Sequence, residues 1–125
     1  MQGAKVFCFN LPAEQLRRLS ICAEKAGAAA VEVPQADFSQ TVGALLGVLP
    51  RKNEVCLAPF SQPMIIMSTF ENTKMDLFLK ELKAEQVRIT YKAVVTPTNL
   101  MWRCDALLAE LVKEHEQIKR VGERK

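Results

Sequence analysis

The stretch Met64-Ile65-Ile66-Met67 decides the fold, because it is a short apolar run without a polar side. Val6-Phe7-Cys8-Phe9 has the same character near the start of the chain. Apolar runs of this length are typical of strands that are buried on both faces of a sheet. The two runs therefore predict the central strands of an α/β sheet.

Two alternating segments predict the outer strands. Ala29 to Val33 admits a glutamate, and Val87 to Val95 places apolar residues on one side and Arg88, Thr90 and Lys92 on the other. Half-exposed strands of this kind belong at the edges of a sheet. With right-handed crossovers, we expect strand order 2-1-3-4 in an open, mostly parallel four-stranded sheet with helices on both faces.

Apolar residues at helical spacing predict four helices that alternate with the strands. The first runs from about Pro12 to Ala26. The second starts near Asp37, because the spacing from Asp37 to Gln40 is a variant of the capping box, and Thr73 caps the third. The last helix is expected to dock on the domain through a regular apolar face, which consists of Cys104, Leu107, Leu108, Leu111, Val112 and Ile118.

The length predicts one α/β domain over residues 1–125. Its element order is βαβα followed by βαβα, so residues 1–49 and 63–118 form two halves joined by a connector over 50–62. The halves resemble each other loosely, either by coincidence or as two copies of one supersecondary unit. Residues 119–125 are basic and are expected to be a frayed tail.

A candidate binding site follows from the expected topology. In an open parallel sheet, ligands bind beyond the carboxyl ends of the strands, where the chain order reverses. Here that point lies between the first and third strands, and the loops expected there would form a polar, uncharged crevice. The turn from Thr96 to Asn99 projects from the same rim. The candidate ligand- or partner-binding residues are Asn10, Ser68, Thr69, Asn72, Thr96, Thr98, Asn99 and Trp102.

Each candidate residue has a structural alternative. Ser, Thr and Asn at these positions are also the commonest helix caps. Trp102 fits packing against the edge of the sheet, with its indole N–H bonded to a loop, as well as it fits an exposed anchor for a partner. The sequence leaves both interpretations open.

Sequence patterns for catalysis, metal binding and nucleotide binding do not occur. The first strand-to-helix turn has no glycine, and there is no phosphate-binding loop and no nucleophile elbow. Cys8, Cys22, Cys56 and Cys104 have no Cys-x-x-Cys spacing, and His115 is the only histidine, on the last helix. We therefore predict no catalytic residue, no metal and no cofactor, and expect the cysteines to be buried free thiols.

Charge and hydropathy limit the classes of partner. The net charge of +3 is weak and its lysines and arginines are scattered, which argues against nucleic-acid binding. No secretory leader and no membrane-spanning run is present, so we expect a cytoplasmic protein without a membrane partner. The alternating strand from Val87 to Val95 can pair with its own copy, which would form a homodimer, although Arg88 and Lys92 oppose such pairing.

The second half resembles a family of small bacterial proteins that is catalogued as domain of unknown function number 3783. The resemblance rests on Lys92-Ala93-Val94-Val95-Thr96-Pro97-Thr98-Asn99, on Trp102, and on the helix that continues through Lys113-Glu114-His115-Glu116. It covers roughly residues 63–117, and Arg103-Cys104-Asp105 departs from the pair that relatives more often carry after the tryptophan. The resemblance implies the fold and implies no activity.

Two functions follow as hypotheses. The first is a non-catalytic binding or regulatory module that holds an unknown protein partner or a small polar ligand at the strand-end rim and near Trp102. The alternative is an enzyme that acts on a small polar or phosphorylated substrate, which Asn10, Thr69, Thr98 and Asn99 would position.

Overall fold

The computed structural model describes residues 3–68 and 71–123, with side chains described up to residue 119. Within these residues, four strands and four α-helices alternate, as the sequence predicts. The strands are β1 (Ala4–Phe9), β2 (Ala28–Glu32), β3 (Met64–Ser68) and β4 (Tyr91–Val94). The helices are α1 (Ala13–Lys25), α2 (Val42–Leu46), α3 (Asn72–Ala84) and α4 (Cys104–Glu123). Short 3-10 turns at Gln35–Asp37 and Asn99–Met101 precede α2 and α4.

The strands form one sheet in the order β2-β1-β3-β4, which confirms the predicted α/β fold and strand order. The central strands are apolar and buried: Phe7 lies opposite Ile66, and both are nearly inaccessible to solvent. The outer pairs, β1 with β2 and β3 with β4, are parallel. The sheet is therefore mostly parallel.

The central pair, β1 with β3, is antiparallel. A helix that returns the chain across the sheet makes two strands parallel, and α1 and α3 do this for the outer pairs. Between β1 and β3 the chain passes through β2, α2 and a connector without regular structure, so no single crossover fixes their relative direction. Antiparallel pairing at the centre therefore joins two parallel βαβ units.

The chain forms two compact units, residues 1–35 with 61–95 and residues 36–60 with 96–125. Each unit thus combines segments from both halves of the sequence. The first unit contains the sheet with α1 and α3, which pack against each other over one core. That core consists mainly of Val6, Cys8, Leu19, Cys22, Ala23, Ile65, Met67, Phe78 and Leu82.

Equivalent features occur twice in the first unit. Helices α1 and α3 both have 13 residues, and a residue with positive φ follows each of them, Gly27 at +75° and Gln86 at +59°. The Val33 N–H donates to the Cys8 carbonyl at 2.9 Å, as Val95 donates to Met67 at 3.0 Å. Both halves therefore form their parallel strand pair in the same way.

A reciprocal pair of hydrogen bonds organises the second unit. The Val42 N–H donates to the Trp102 carbonyl and the Cys104 N–H donates to the Gln40 carbonyl, both at 2.9 Å. These bonds flank an antiparallel bridge between Thr41 and Arg103. The first turns of α2 and α4 are thus tied to each other symmetrically.

The buried side chain of Gln40 holds the connector in the second unit. Its amide nitrogen donates to the Lys52 carbonyl at 2.7 Å, and its amide oxygen accepts from the Lys52 N–H at 2.9 Å. Phe38 stacks on Phe60 with the ring centroids 4.5 Å apart. Both contacts join the start of this unit to a segment that has no regular structure of its own.

Two predicted helix starts are wrong. Helix α2 begins at Val42, where the Thr41 hydroxyl accepts from the Ala44 N–H at 3.0 Å. Asp37 does not form the expected capping box, because it pairs with Arg51 at 2.8 Å and Gln40 binds Lys52. Helix α3 begins at Asn72 after Glu71, so Thr73 lies inside the helix and does not cap it.

The last helix and the last strand differ from expectation in length. In α4, Cys104, Leu107 and Leu108 are buried as predicted, whereas Ile118 is 72% exposed, so the docking face is confined to the first turns. The helix continues to Glu123, through most of the segment expected as a tail. Strand β4 is shorter than predicted, although the expected alternation extends upstream of it, since Ile89 is buried.

Candidate functional site

The single crevice expected between the first and third strands does not form. Because β1 and β3 are antiparallel, their carboxyl ends lie at opposite ends of the sheet. Asn10 follows β1 at one end, where its amide nitrogen donates to the Gln62 carbonyl at 3.2 Å. Ser68 ends β3 at the other end, where its hydroxyl donates to the Lys5 carbonyl at 3.4 Å. These two candidates therefore cannot line one site.

Thr96 and Asn99 cap each other's backbone. The Thr96 N–H donates to Asn99 Oδ1 at 2.9 Å, and the Asn99 N–H donates to the Thr96 hydroxyl at 3.1 Å. The Leu100 N–H donates to the Thr96 carbonyl at 3.0 Å, which closes the turn. This arrangement is a capping box, in which each side chain satisfies a backbone donor of the other residue. Both side chains thus have a structural task.

The remaining candidates differ in exposure. Thr98 is exposed within the same turn, and Trp102, whose backbone carbonyl accepts from Val42, is 37% exposed. Asn72 is the exposed first residue of α3. Thr69 lies outside the described residues. A ligand-binding role for the eight candidates stays a prediction.

Three of the four cysteines have thiols that are poor nucleophiles at neutral pH. Burial raises the pKa of Cys8 and of Cys104 from 9.0 to about 12, and burial also raises the pKa of Cys22. A thiol with a raised pKa stays protonated at neutral pH and is a poor nucleophile. Cys56 differs because it is only half-buried. The expectation of buried free thiols is thus confirmed for three of the four cysteines.

The structure shows a groove that the sequence did not predict. It lies in the first unit, between the end of α3 and the segment that leads into β4, and encloses about 400 Å³. The Val87 N–H donates to the Leu82 carbonyl at 2.9 Å, which turns the chain back along the helix. The lining residues are Leu79, Leu82, Lys83, Val87, Arg88, Ile89, Thr90 and Lys92.

The floor of this groove is apolar and its rim is basic. Leu82, Val87 and Ile89 are almost fully buried, whereas Lys83 and Arg88 are exposed. Throughout the described part of the chain, the ion pairs within 4.0 Å use other cations, namely Arg17, Arg18, Lys25, Arg51 and Arg103. The groove's cations therefore have no carboxylate partner among the described residues.

Lys92 reaches back over the start of β4. Its ammonium group donates to the Ile89 carbonyl at 2.7 Å, which holds the charge beside the groove. Sequence alternation does place Arg88 and Lys92 on the polar side of the last strand. It does not show that the end of α3 lies beside that strand, and this proximity is what makes the groove.

Neither a metal-binding cluster nor a membrane-spanning helix occurs among the residues that the structure describes. No cluster of three or more His, Cys, Asp or Glu side chains there is suited to hold a metal ion. None of the helices there combines the length and the apolar character that crossing a bilayer requires.

Comparison with known proteins locates the groove within a recognised sequence region. No curated protein and no solved structure matches the chain. Residues 63–118, which comprise the second βαβα half and include every residue that lines the groove, match the family model of DUF3783, a domain of unknown function.

Proposed function

We propose that the protein is a non-catalytic binding module whose binding surface is the groove between α3 and the segment leading into β4. The proposal rests mainly on three cations, Lys83, Arg88 and Lys92, which surround an apolar floor and have no carboxylate partner within the described part of the chain. Binding sites commonly combine an apolar surface with a few polar groups that fix orientation. The residues of this groove have that composition.

The groove's chemistry selects the class of partner. Apolar side chains of a ligand would displace water from the floor, which gives affinity, and carboxylates would pair with the cations, which gives specificity and a faster approach. A segment of another protein that carries both acidic and apolar residues supplies both features. We therefore expect an acidic, amphipathic protein segment as the ligand.

The free thiols support a reducing compartment as the place of action. The free cysteines are Cys8, Cys22, Cys56 and Cys104. Free cysteines are typical of proteins in the cytoplasm, where thiols are kept reduced. We expect the module to work there.

Fluorescence anisotropy with a defined probe tests the proposal. The probe is a fluorescein-labelled octapeptide of alternating glutamate and valine, and its lysine–valine counterpart is the control ligand. The combined variant Lys83→Gln/Arg88→Gln/Lys92→Gln should weaken binding of the acidic peptide by at least about tenfold, because three charge pairs are removed. Binding should also weaken as salt is added, because the charges are exposed.

A matched variant separates the groove from general electrostatics. Lys5→Gln/Arg17→Gln/Arg18→Gln removes the same charge from the same unit outside the groove. It should leave the affinity for the acidic peptide within about twofold of the original. No binding of the acidic peptide, or equal losses in the two combined variants, would refute the groove as the binding surface.

The turn from Thr96 to Asn99 with Trp102 is a second candidate surface. The observation that supports it is the exposure of two large apolar side chains: Trp102 is 37% exposed and the adjacent Met101 is 70% exposed. Exposed aromatic and methionine side chains are enriched at protein interfaces. Trp102→Ala in the same anisotropy assay distinguishes the two surfaces. If Trp102→Ala loses binding of the acidic peptide while the combined groove variant keeps it, the turn is the binding surface.

A further inference from the structure

The basic groove continues into a second depression along α3. This depression lies in the first unit as well and encloses about 520 Å³. Its lining residues are Thr73, Asp76, Leu77, Leu79, Lys80 and Lys83. Leu79 and Lys83 also line the groove, so the two surfaces meet at these side chains. A ligand of the groove therefore has a continuous surface along α3 to occupy.

The exposed side chains of α3 form a stripe along this surface. Asp76, Lys80 and Lys83 recur at intervals of four and three residues, which places them on one side of the helix. All three are exposed, and Leu77 beside them is 38% exposed. From Thr73 to Lys83 the stripe is about 15 Å long, at about 1.5 Å per residue. Straight rows of this kind are the surfaces on which a second helix packs.

The charges along this surface change sign from one end to the other. Asp76 is the only acid among the residues that line the groove and the depression. Toward the end of α3 the lining residues Lys80 and Lys83 are cations, and Arg88 follows the turn that leads into β4. Within the described part of the chain, none of these four has an ion-pair partner within 4.0 Å. The complementary ligand therefore carries carboxylates at the end near Lys83 and a cation at the end near Asp76.

An α-helix that lies antiparallel to α3 meets this order of charges. Because of the helix dipole, the first turn of a helix favours acidic side chains and its last turn favours basic ones. In the antiparallel direction, the first turn of the ligand lies beside Lys83 and Arg88, and its last turn lies beside Asp76. Each end then carries the charge that stabilises the ligand's own helix and also pairs with the protein. In a parallel helix these two requirements oppose each other.

We propose that the partner segment binds as an amphipathic α-helix antiparallel to α3, with acidic residues in its first turn and basic residues in its last turn. This inference rests on the proposed function, because it names the conformation and direction of the ligand in the same groove. Apolar side chains at positions i, i+3, i+4 and i+7 of the partner cover Leu77 and Leu79 and enter the groove, as in other helix-in-groove complexes. About ten residues of helix span the stripe.

Two helical peptides test the direction by fluorescence anisotropy on the full chain. Both are fluorescein-labelled, with glutamates in the first turn and leucines at positions i, i+3, i+4 and i+7. One ends in a turn of lysines and the other in a turn of glutamates. The same i, i+4 hydrocarbon cross-link on the outer face fixes the helix in both, and circular dichroism verifies that their helicity matches. The measured quantity is the ratio of the two affinities, glutamate-ended over lysine-ended.

A charge reversal at the acidic end should change this ratio. Asp76→Lys should raise it by about tenfold, because attraction for the lysine-ended peptide becomes repulsion and the reverse holds for the other peptide. Glu24→Lys makes the same charge change at an exposed residue of α1 that lines neither surface, and should leave the ratio within about twofold. Binding of the glutamate–valine octapeptide shows that the groove of each variant is intact.

The outcomes separate this inference from the proposed function. An unchanged ratio in Asp76→Lys would overturn the antiparallel helix, because a parallel helix places its first turn, identical in both peptides, beside this residue. Binding of the octapeptide without binding of either helical peptide would also overturn it, since the groove then takes an extended segment. In both cases the proposed function stands if the combined groove variant still weakens octapeptide binding. Absence of binding by every peptide would overturn both.

Discussion

Gly27 and Gln86 occupy the same position in the two βαβ units of the sheet. Each follows a 13-residue helix and has a positive φ, +75° for Gly27 and +59° for Gln86. Glycine adopts this conformation without steric cost, whereas a residue with a Cβ atom does not. One βαβ unit therefore has glycine, the favoured residue, at this turn, whereas the other has glutamine.

Gln86→Gly should raise the free energy of unfolding by about 1 kcal/mol, because it removes the steric cost of the left-handed conformation. Gly27→Ala should lower it by about the same amount. The nearest atom to an added Cβ at Gly27 is Lys74 Nζ at 3.9 Å, so the cost there is conformational and not a collision. Urea denaturation measures both changes. A loss of stability in Gln86→Gly would contradict the equivalence of the two turns.

Gly43 is predicted to resist replacement for a different reason. A Cβ at this position would lie 2.5 Å from Leu49 Cδ1 and 3.0 Å from the Leu100 carbonyl oxygen. Although alanine is intrinsically better than glycine in a helix, Gly43→Ala should destabilise the protein by about 1–3 kcal/mol through overpacking. Leu49→Ala in the same chain should recover part of the loss, which double-mutant analysis of urea denaturation would detect. A stabilised Gly43→Ala variant would show that the space is open.

The reciprocal bonds between Thr96 and Asn99 predict a stability effect at the turn. Thr96→Ala and Asn99→Ala should each cost about 1 kcal/mol, because each leaves a backbone N–H without its acceptor. The double variant should cost less than the sum if the two side chains act as one unit. Thr98→Ala is the control, because Thr98 is exposed and should change stability by less than about 0.5 kcal/mol. Thermal and urea unfolding give all four values.

The buried thiols predict a dependence of stability on alkaline pH. In the unfolded chain Cys8 and Cys104 ionise near their ordinary pKa of 9.0, whereas burial holds each pKa at about 12 in the folded protein. Above about pH 9 the unfolded state thus binds fewer protons, so the free energy of unfolding falls as pH rises toward 12. Each thiol contributes up to about 1.4 kcal/mol per pH unit in this window.

Urea denaturation at several pH values between 8 and about 11 measures this slope. Cys8→Ala/Cys104→Ala should lower stability at pH 8 but show a shallower decline above pH 9. A thiol reagent gives an independent readout: in the native protein Cys56 should react first, because it is the half-buried cysteine. Equal reaction rates of all four thiols before unfolding would contradict the burial of the other three.

Local sequence patterns determined which segments form the sheet and their order. Met64-Ile65-Ile66-Met67 and Val6-Phe7-Cys8-Phe9 have no polar side, so a central position is the arrangement that buries them on both faces. The first helix, from about Pro12 to Ala26, was also predicted within a residue at each end. In these segments, periodicity and end signals agree with the final packing.

Contacts between distant segments decided the rest. The sequence does not specify that β3 runs against β1, because an apolar strand that is buried on both faces pairs equally well in either direction. Gln40 looked like part of a capping box and instead holds Lys52, since a buried amide needs partners that only the folded connector supplies. The groove at Lys83 and Arg88 likewise exists because two segments meet. The sequence by itself thus determined the strands, their order and the extent of the first helix, whereas tertiary structure decided strand direction, the buried polar contacts and the candidate surfaces.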